Sequence, residues 1–213
     1  IKPLVRKFDY LCDMIKNLLF DLGGVIMDIR RENCEKAFRD LGMADIGDFL
    51  GDYGQTGPFA ALEEGAIDEK EFRDEVRRHI PHAVSDAEID AAFNEFLVGI
   101  PVKRLAELRK LREKYGIYLL SNTNPIMWDS KIAEEFRKEG KEREDYFDGM
   151  VTSFEAKCYK PDRRIFDYVV EHLGIKPEET LFFDDSKANV DAAAALGFNT
   201  CHVAPGTEFY ELI

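Results

Sequence analysis

Long apolar runs are missing from this chain. No stretch approaches the ~20 residues that a membrane-crossing helix needs, and the start shows no apolar h-region of a secretory signal. Cysteine is scarce: Cys12, Cys34, Cys158 and Cys201 are widely spaced, without a C-x-x-C or Cys/His ligand pattern. That argues against a zinc site or a disulfide framework, and predicts a reduced, cytoplasmic protein with incidental thiols. Basic residues are in deficit, 29 against 42 acidic ones, for a net charge of −13. Such a surface repels nucleic acid and anionic membranes, so neither is expected as a partner. Internal repeats and low-complexity segments are also missing. What remains is 213 residues, 45% hydrophobic and 33% charged, enough for one packed core with a smaller insert.

Strand-like runs recur at 17–21, 117–121, 149–153, 180–184 and 199–203. Helical patterns lie between the later ones. Val102 to Lys114 repeats apolar residues at 102, 105, 108 and 111, and Ile165, Phe166, Val169, Val170 and Leu173 form a stripe. Ala188 to Leu196 reads as a helix closed by Gly197. Alternating strand and helix predicts an α/β fold, a parallel sheet covered on both faces. The stretch 32–98 differs. It shows amphipathic helical patterns and no convincing strand, with capping-box signatures at Asp68/Glu71 and Ser85/Glu88. The expected organisation is therefore an α/β core from 14–31 plus 99–213 and an inserted, all-helical unit from 32–98. Residues 1–13 carry no period and read either as an upstream extension or as an N-terminal arm.

Chemistry concentrates in four segments. Asp21 ends the apolar run Leu18-Leu19-Phe20, and Gly23-Gly24 follow it. Ser121 and Asn122 follow Ile117 to Leu120. Lys160 precedes Pro161, which suits the first position of the next helix. Asp184 and Asp185 close Leu181-Phe182-Phe183. A buried strand that ends abruptly on a polar residue delivers that side chain to a site at the C-terminal edge of a sheet. Taken singly, each has an ordinary reading: a turn acid, a Ser/Asn turn, a solvated lysine. The acid doublet is the most telling, because adjacent carboxylates repel unless a cation lies among them. Together the set suits Mg²⁺, which favours carboxylate oxygens, and an aspartate attacking phosphorus.

On these motifs the chain resembles the haloacid dehalogenase superfamily, from Met14 onwards. The insert is similar to the small cap that follows the first strand there, with Leu62-Glu63-Glu64-Gly65-Ala66-Ile67-Asp68 and Phe72 at a helix junction. D-L-G, S-N-T-N and F-F-D-D most resemble the bacterial alpha-D-glucose-1-phosphate phosphatases. The resemblance implies a Rossmann-like core and a Mg²⁺-dependent phosphatase acting on a small phosphate ester, a sugar phosphate such as glucose 1-phosphate. It implies Asp21 as nucleophile and metal ligand, the Gly23 carbonyl and Asp185 as further ligands, and Ser121 and Asn122 on the phosphoryl oxygens. Lys160 would bridge nucleophile and phosphate, Asp184 would orient Lys160 or act through water, and Asn189 would support the acid pair. Gln55, Phe59 and Glu63 are candidate contacts from the cap. Trp128 could line the entrance, with a core role equally expected.

Two positions depart from the pattern. Gly23 stands where most such phosphatases carry a general acid/base aspartate, whose help is worth ~10²–10⁴ in rate. None of His79, His82, His172 and His202 falls in a motif to replace it. An anomeric phosphate, with its better leaving group, would compensate. Lys157 replaces a frequent glycine and is expected in solvent. The competing readings are a metal-independent 2-haloacid dehalogenase, against which the acid doublet argues, a phosphomutase, which would want the missing acid, and a pseudophosphatase that only binds a ligand.

Overall fold

The computed structural model describes residues 14–51 and 54–213, so the reading of 1–13, and Cys12 with it, lies outside the described residues. A parallel sheet forms in the order β5-β4-β1-β6-β7. Its strands are β1 (Asn17–Phe20), β4 (Gly116–Ser121), β5 (Gly149–Thr152), β6 (Thr180–Asp184) and β7 (Asn199–His202). All five fall on the strand-like runs of the sequence. Leu18, Leu19 and Phe20 are all buried, as expected for a strand with both faces covered. Successive residues serve opposite sides. Leu18, Phe20, Leu119 and Phe183 join one apolar cluster, while Leu19, Leu120 and Phe182 join another that holds Ile165, Phe166 and Val169 of the helix Arg163–Leu173. The helix Lys187–Ala195 ends as the sequence suggested, with Gly197 at φ +91° just beyond it. The helix Val102–Leu111 stops one turn short of the predicted Lys114.

Between β1 and β4 the chain forms the helices Arg31–Asp40, Gly57–Glu63, Glu69–Arg77 and Asp86–Asn94. Both predicted capping boxes are formed, on Asp68/Glu71 and Ser85/Glu88. Phe59 is the hub of their packing, with ring centroids of Phe72 at 5.0 Å, Phe93 at 5.1 Å and Phe38 at 5.4 Å. Aromatic edges meeting faces at such distances add to plain burial. One expectation is corrected here. The stretch is not free of strand, because β3 (Leu97–Gly99) pairs antiparallel with β2 (Asp28–Ile29). The two places where the chain leaves and re-enters the sheet layer are thus joined as a ribbon. Arg104 braces its base, donating to the Ile26 carbonyl, Asp28 and Glu208.

The junction after the helix Gly57–Glu63 explains a glycine. Gly65 has φ +65°, and a Cβ there would strike the Phe154 carbonyl. The same turn is held from the other side by Lys157, whose Nζ donates to the Gly65 carbonyl at 2.7 Å. Lys157 is exposed, as expected, and itself adopts φ +56°, a conformation that favours glycine. Gly65→Ala is expected to destabilise the protein by at least ~1–2 kcal/mol from the backbone alone, with more from the collision. Urea unfolding of the two proteins measures it.

Candidate active site

Three adjacent strands end together. β1 pairs with β4 through Phe20↔Leu119 and with β6 through Phe20↔Phe183. Their tips therefore bring Asp21, Ser121 and the Asp184-Asp185 doublet to one edge of the sheet. Ligand oxygens of Asp21, Asp184 and Asp185 all lie within 4.8 Å of one another. The Lys160 ammonium, itself buried, stands 2.7 Å from Asp21 Oδ1 and 2.7 Å from Asp184 Oδ2, and donates to the Leu120 carbonyl at 3.1 Å. Asn189 donates to both Asp184 oxygens, at 3.0 and 3.2 Å, and the Ser186 N–H donates to Oδ1 at 2.8 Å. Asp184 is thereby fully engaged, whereas Asp185 faces the cavity.

Two backbone details build this cluster. Gly24 has φ +75°, and a Cβ there would fall on the Asp185 carboxylate, so the acid doublet can sit beside β1 only over a glycine. Lys160 is fixed by Asn122, whose amide donates to the Lys160 carbonyl at 3.0 Å and accepts from its N–H at 2.9 Å. The Asn122 side chain is thus committed to the lysine, leaving its backbone for a ligand. The Lys160-Pro161 bond is cis, and the following helix begins at Arg163 with Asp162 as its cap. Pro161 is therefore not at the first helical position, as its sequence context had suggested.

The acids are electrostatically crowded. Burial raises Asp21, the neighbouring Lys160 lowers it, and Asp184 and Asp185 raise it again, for a net shift up to about 7. Asp185 is pushed up to about 6, first by burial and then by Asp184. Burial opposes the charge on Lys160, but Asp184 and Asp21 outweigh it and the net shift is upward. Three carboxylates against one ammonium leave excess negative charge in a buried place, the condition a divalent cation relieves.

These groups line one cavity of about 100 Å³. Its floor includes Asp21, Gly23, Ser121, Asn122, Lys160 and Asp185, all singled out in the sequence. The 32–98 stretch contributes Gln55 and Glu63 as predicted, and also Phe93, Phe96 and Leu97, which no motif marked. Phe59 and Trp128 do not line it, which for Trp128 is the core role that was equally expected. Phe59 is fully buried in the aromatic cluster, because the helix Gly57–Glu63 turns that residue inward. Trp128 is buried under the Arg143 guanidinium, 4.1 Å from its ring, and serves packing. Glu63 is pushed up to about 8 by burial. No histidine lines the cavity, and His202 lies 2.9 Å from the Asp185 backbone carbonyl, not from its carboxylate.

The strands of this parallel sheet thus gather acids and a lysine at their tips. The chain matches the haloacid dehalogenase-like hydrolases over residues 15–197, and it belongs to that family. It is 38% identical over 196 residues to the D-ribitol-5-phosphate phosphatase of Bacteroides thetaiotaomicron, covering 92% of this chain and 95% of that protein. It is 24% identical over 194 residues to a sesquiterpene phosphatase of Aspergillus oryzae, covering 91% of this chain and 92% of that one. A crystal structure of a haloacid dehalogenase family enzyme from Bacteroides thetaiotaomicron, a mutant in complex with magnesium and inorganic phosphate, superposes with a TM-score of 0.89. It is 43% identical and covers 93% of this chain and 98% of that one.

Proposed function

We propose that this chain is a Mg²⁺-dependent phosphatase that hydrolyses a small phosphorylated sugar or polyol through an aspartyl-phosphate on Asp21. One observation carries the reading: three carboxylates converge within 4.8 Å, and a buried ammonium touches two of them. The donor set fits the metal, since Mg²⁺ takes carboxylate oxygens and keeps positions for water and substrate phosphate. Asp21 and Asp185 would hold it with the Gly23 carbonyl, and it would supply charge neutralisation on the phosphoryl oxygens.

Asp21 Oδ attacks phosphorus, the P–O bond to the leaving group breaks, and the sugar oxygen takes its proton from water, position 23 offering no side-chain acid. Water then attacks the acyl phosphate, releasing inorganic phosphate and restoring Asp21. Lys160 neutralises the nucleophile and the transferring group, and Asp184 with Asn122 keeps it in position. Ser121 and the backbone of Asn122 hold phosphoryl oxygens. Residues 32–98 act as the cap that closes the cavity and excludes water. A sugar or polyol phosphate is supported by the relative named for ribitol 5-phosphate, and glucose 1-phosphate stays a candidate because its anomeric leaving group suits a site with glycine at position 23.

The test is phosphate release with and without Mg²⁺ over a panel containing both substrates, on wild type and Gly23→Asp. The Gly23 backbone lies outside the left-handed region, and a Cβ there meets only the Ile29 side chain, at 3.4 and 3.5 Å, so the backbone tolerates a side chain. Wild type is expected to require Mg²⁺. The variant is expected to raise turnover of alkyl phosphates by up to ~10²-fold, with a smaller gain on the anomeric one. Halide release without metal would instead make the protein a dehalogenase, and no turnover across the panel would make it a binding protein.

Metal affinity is expected to depend on pH with a fixed sign. Asp21 at about 7 and Asp185 at about 6 hold protons that the metal must displace. Affinity therefore rises as pH increases through 6 to 7, with proton release. Calorimetry in two buffers of different ionisation enthalpy measures both.

A further inference from the structure

Among the residues of the cavity, one charged-type side chain has no part in the chemistry above. Glu63 lines the cavity from the last position of the helix Gly57–Glu63. Among the described residues it has neither a hydrogen-bond nor an ion-pair partner. Its neighbour Glu64 points elsewhere, with Arg164 3.9 Å away. Helix-terminal position does not leave Glu63 loose. The next turn is pinned through Gly65, which packs on the Phe154 carbonyl and accepts from Lys157. Glu63 is half-buried, and its carboxyl is open to the cavity and is not spent on any bond within the fold. A polar side chain that lines a cavity and has no partner in the fold is free to bond a ligand there.

We propose that Glu63 recognises the leaving group: its carboxyl hydrogen-bonds a hydroxyl of the substrate's carbon chain and selects phosphorylated polyols and sugars over phosphates of apolar alcohols. This rests on the phosphatase reading and names the part of the site that reads the substrate. The surroundings agree. Phe93, Phe96 and Leu97 offer the carbon chain an apolar wall, and Gln55 and Glu63 are the polar side chains that 32–98 adds to the cavity. Burial favours the neutral acid. A neutral carboxyl both donates and accepts, as a hydroxyl does, and it does not repel the phosphate dianion. Glu63 is not part of the carboxylate cluster of Asp21, Asp184 and Asp185, and the Lys160 ammonium is paired with Asp21 and Asp184. That separation suits contact with the distal carbons, not proton transfer to the scissile oxygen.

The experiment compares kcat/KM for D-ribitol 5-phosphate and for pentyl phosphate, a chain of equal length without hydroxyls. It uses Mg²⁺-loaded wild type, Glu63→Leu and Glu63→Gln, with a melting curve for each. The ratio of the two kcat/KM values is expected to fall about 10–100-fold in Glu63→Leu. Glu63→Gln, which keeps a donor and an acceptor, is expected to hold the ratio near the wild-type value. The Leu variant is expected to melt at or above the wild-type temperature, since it removes a half-buried acid that holds no part of the fold together. An unchanged ratio in Glu63→Leu, or equal losses on both substrates, overturns the proposal. Wild type that releases phosphate from neither compound, nor from any other phosphate ester, refutes the underlying phosphatase reading and the inference with it.

Discussion

Asp21→Asn is expected to lower phosphate release by about 10⁴-fold or more, the scale on which enzymes lose activity when a nucleophile is removed. The amide keeps the size and the buried position of the acid and loses the attacking oxygen together with the negative charge that faces Lys160. The Leu22 N–H, which donates to Asp21 Oδ1 at 2.7 Å, still finds an oxygen there. The fold should therefore survive, and the loss should appear in kcat. Removing a negative charge from the crowded acid cluster is also expected to ease apo stability, so the variant should melt no lower than wild type without metal. An activity loss of less than tenfold would show that Asp21 only supports the site and does not form the covalent intermediate. Steady-state phosphate release with Mg²⁺ present, together with a melting curve of each apo protein, decides the matter.

Lys160→Met is expected to damage both stability and activity. Lys160 is fully buried, and its ammonium satisfies Asp21, Asp184 and the Leu120 carbonyl at once. Deleting one partner of a buried ion pair leaves the other charge uncompensated, which costs about 3–5 kcal/mol. For a chain of this size that is a fall of roughly 6–20 °C in Tm. The sign of the pH dependence follows from the acids left behind. Without the ammonium, the folded pKa of Asp21, already raised, rises further above the unfolded one. Stability is then gained as pH falls towards the unfolded carboxylate range and lost as pH rises through the folded values. The variant should accordingly recover part of its Tm between pH 7 and pH 5. Equal Tm at both pH values, in a variant that melts like wild type, would mean that Lys160 carries no structural charge balance.

The strand tips were legible because buried parallel strands announce themselves. Leu18-Leu19-Phe20 and Leu181-Phe182-Phe183 are continuous apolar runs, and each stops on an acid. The capping boxes were legible for a local reason too, since their two partners lie three residues apart. What escaped was long-range or short. The ribbon of Asp28–Ile29 with Leu97–Gly99 is too brief for alternation to show. Arg104 looks like any polar residue of its helix, yet its partners Asp28, Ile26 and Glu208 lie 76, 78 and 104 residues away. Phe59 and Glu63 sit four apart on one helix, so spacing put them on the same face. Packing then separated them, one into the aromatic cluster and the other onto the cavity. Asn122 was marked as a phosphate contact because of its place after β4. Only the fold reveals that its amide is spent on Lys160, 38 positions further along.

The cavity walls come from two stretches of unequal freedom. The sheet edge supplies the acids and the lysine, interlocked so tightly that a methyl group on Gly24 has nowhere to go. The facing wall carries Gln55, Glu63, Phe93, Phe96 and Leu97, and of these Glu63 makes no bond that holds the lower layer together. With Glu63 in the proposed role, substitutions in that wall change which phosphate ester is accepted and leave the interlocked acids and lysine in place.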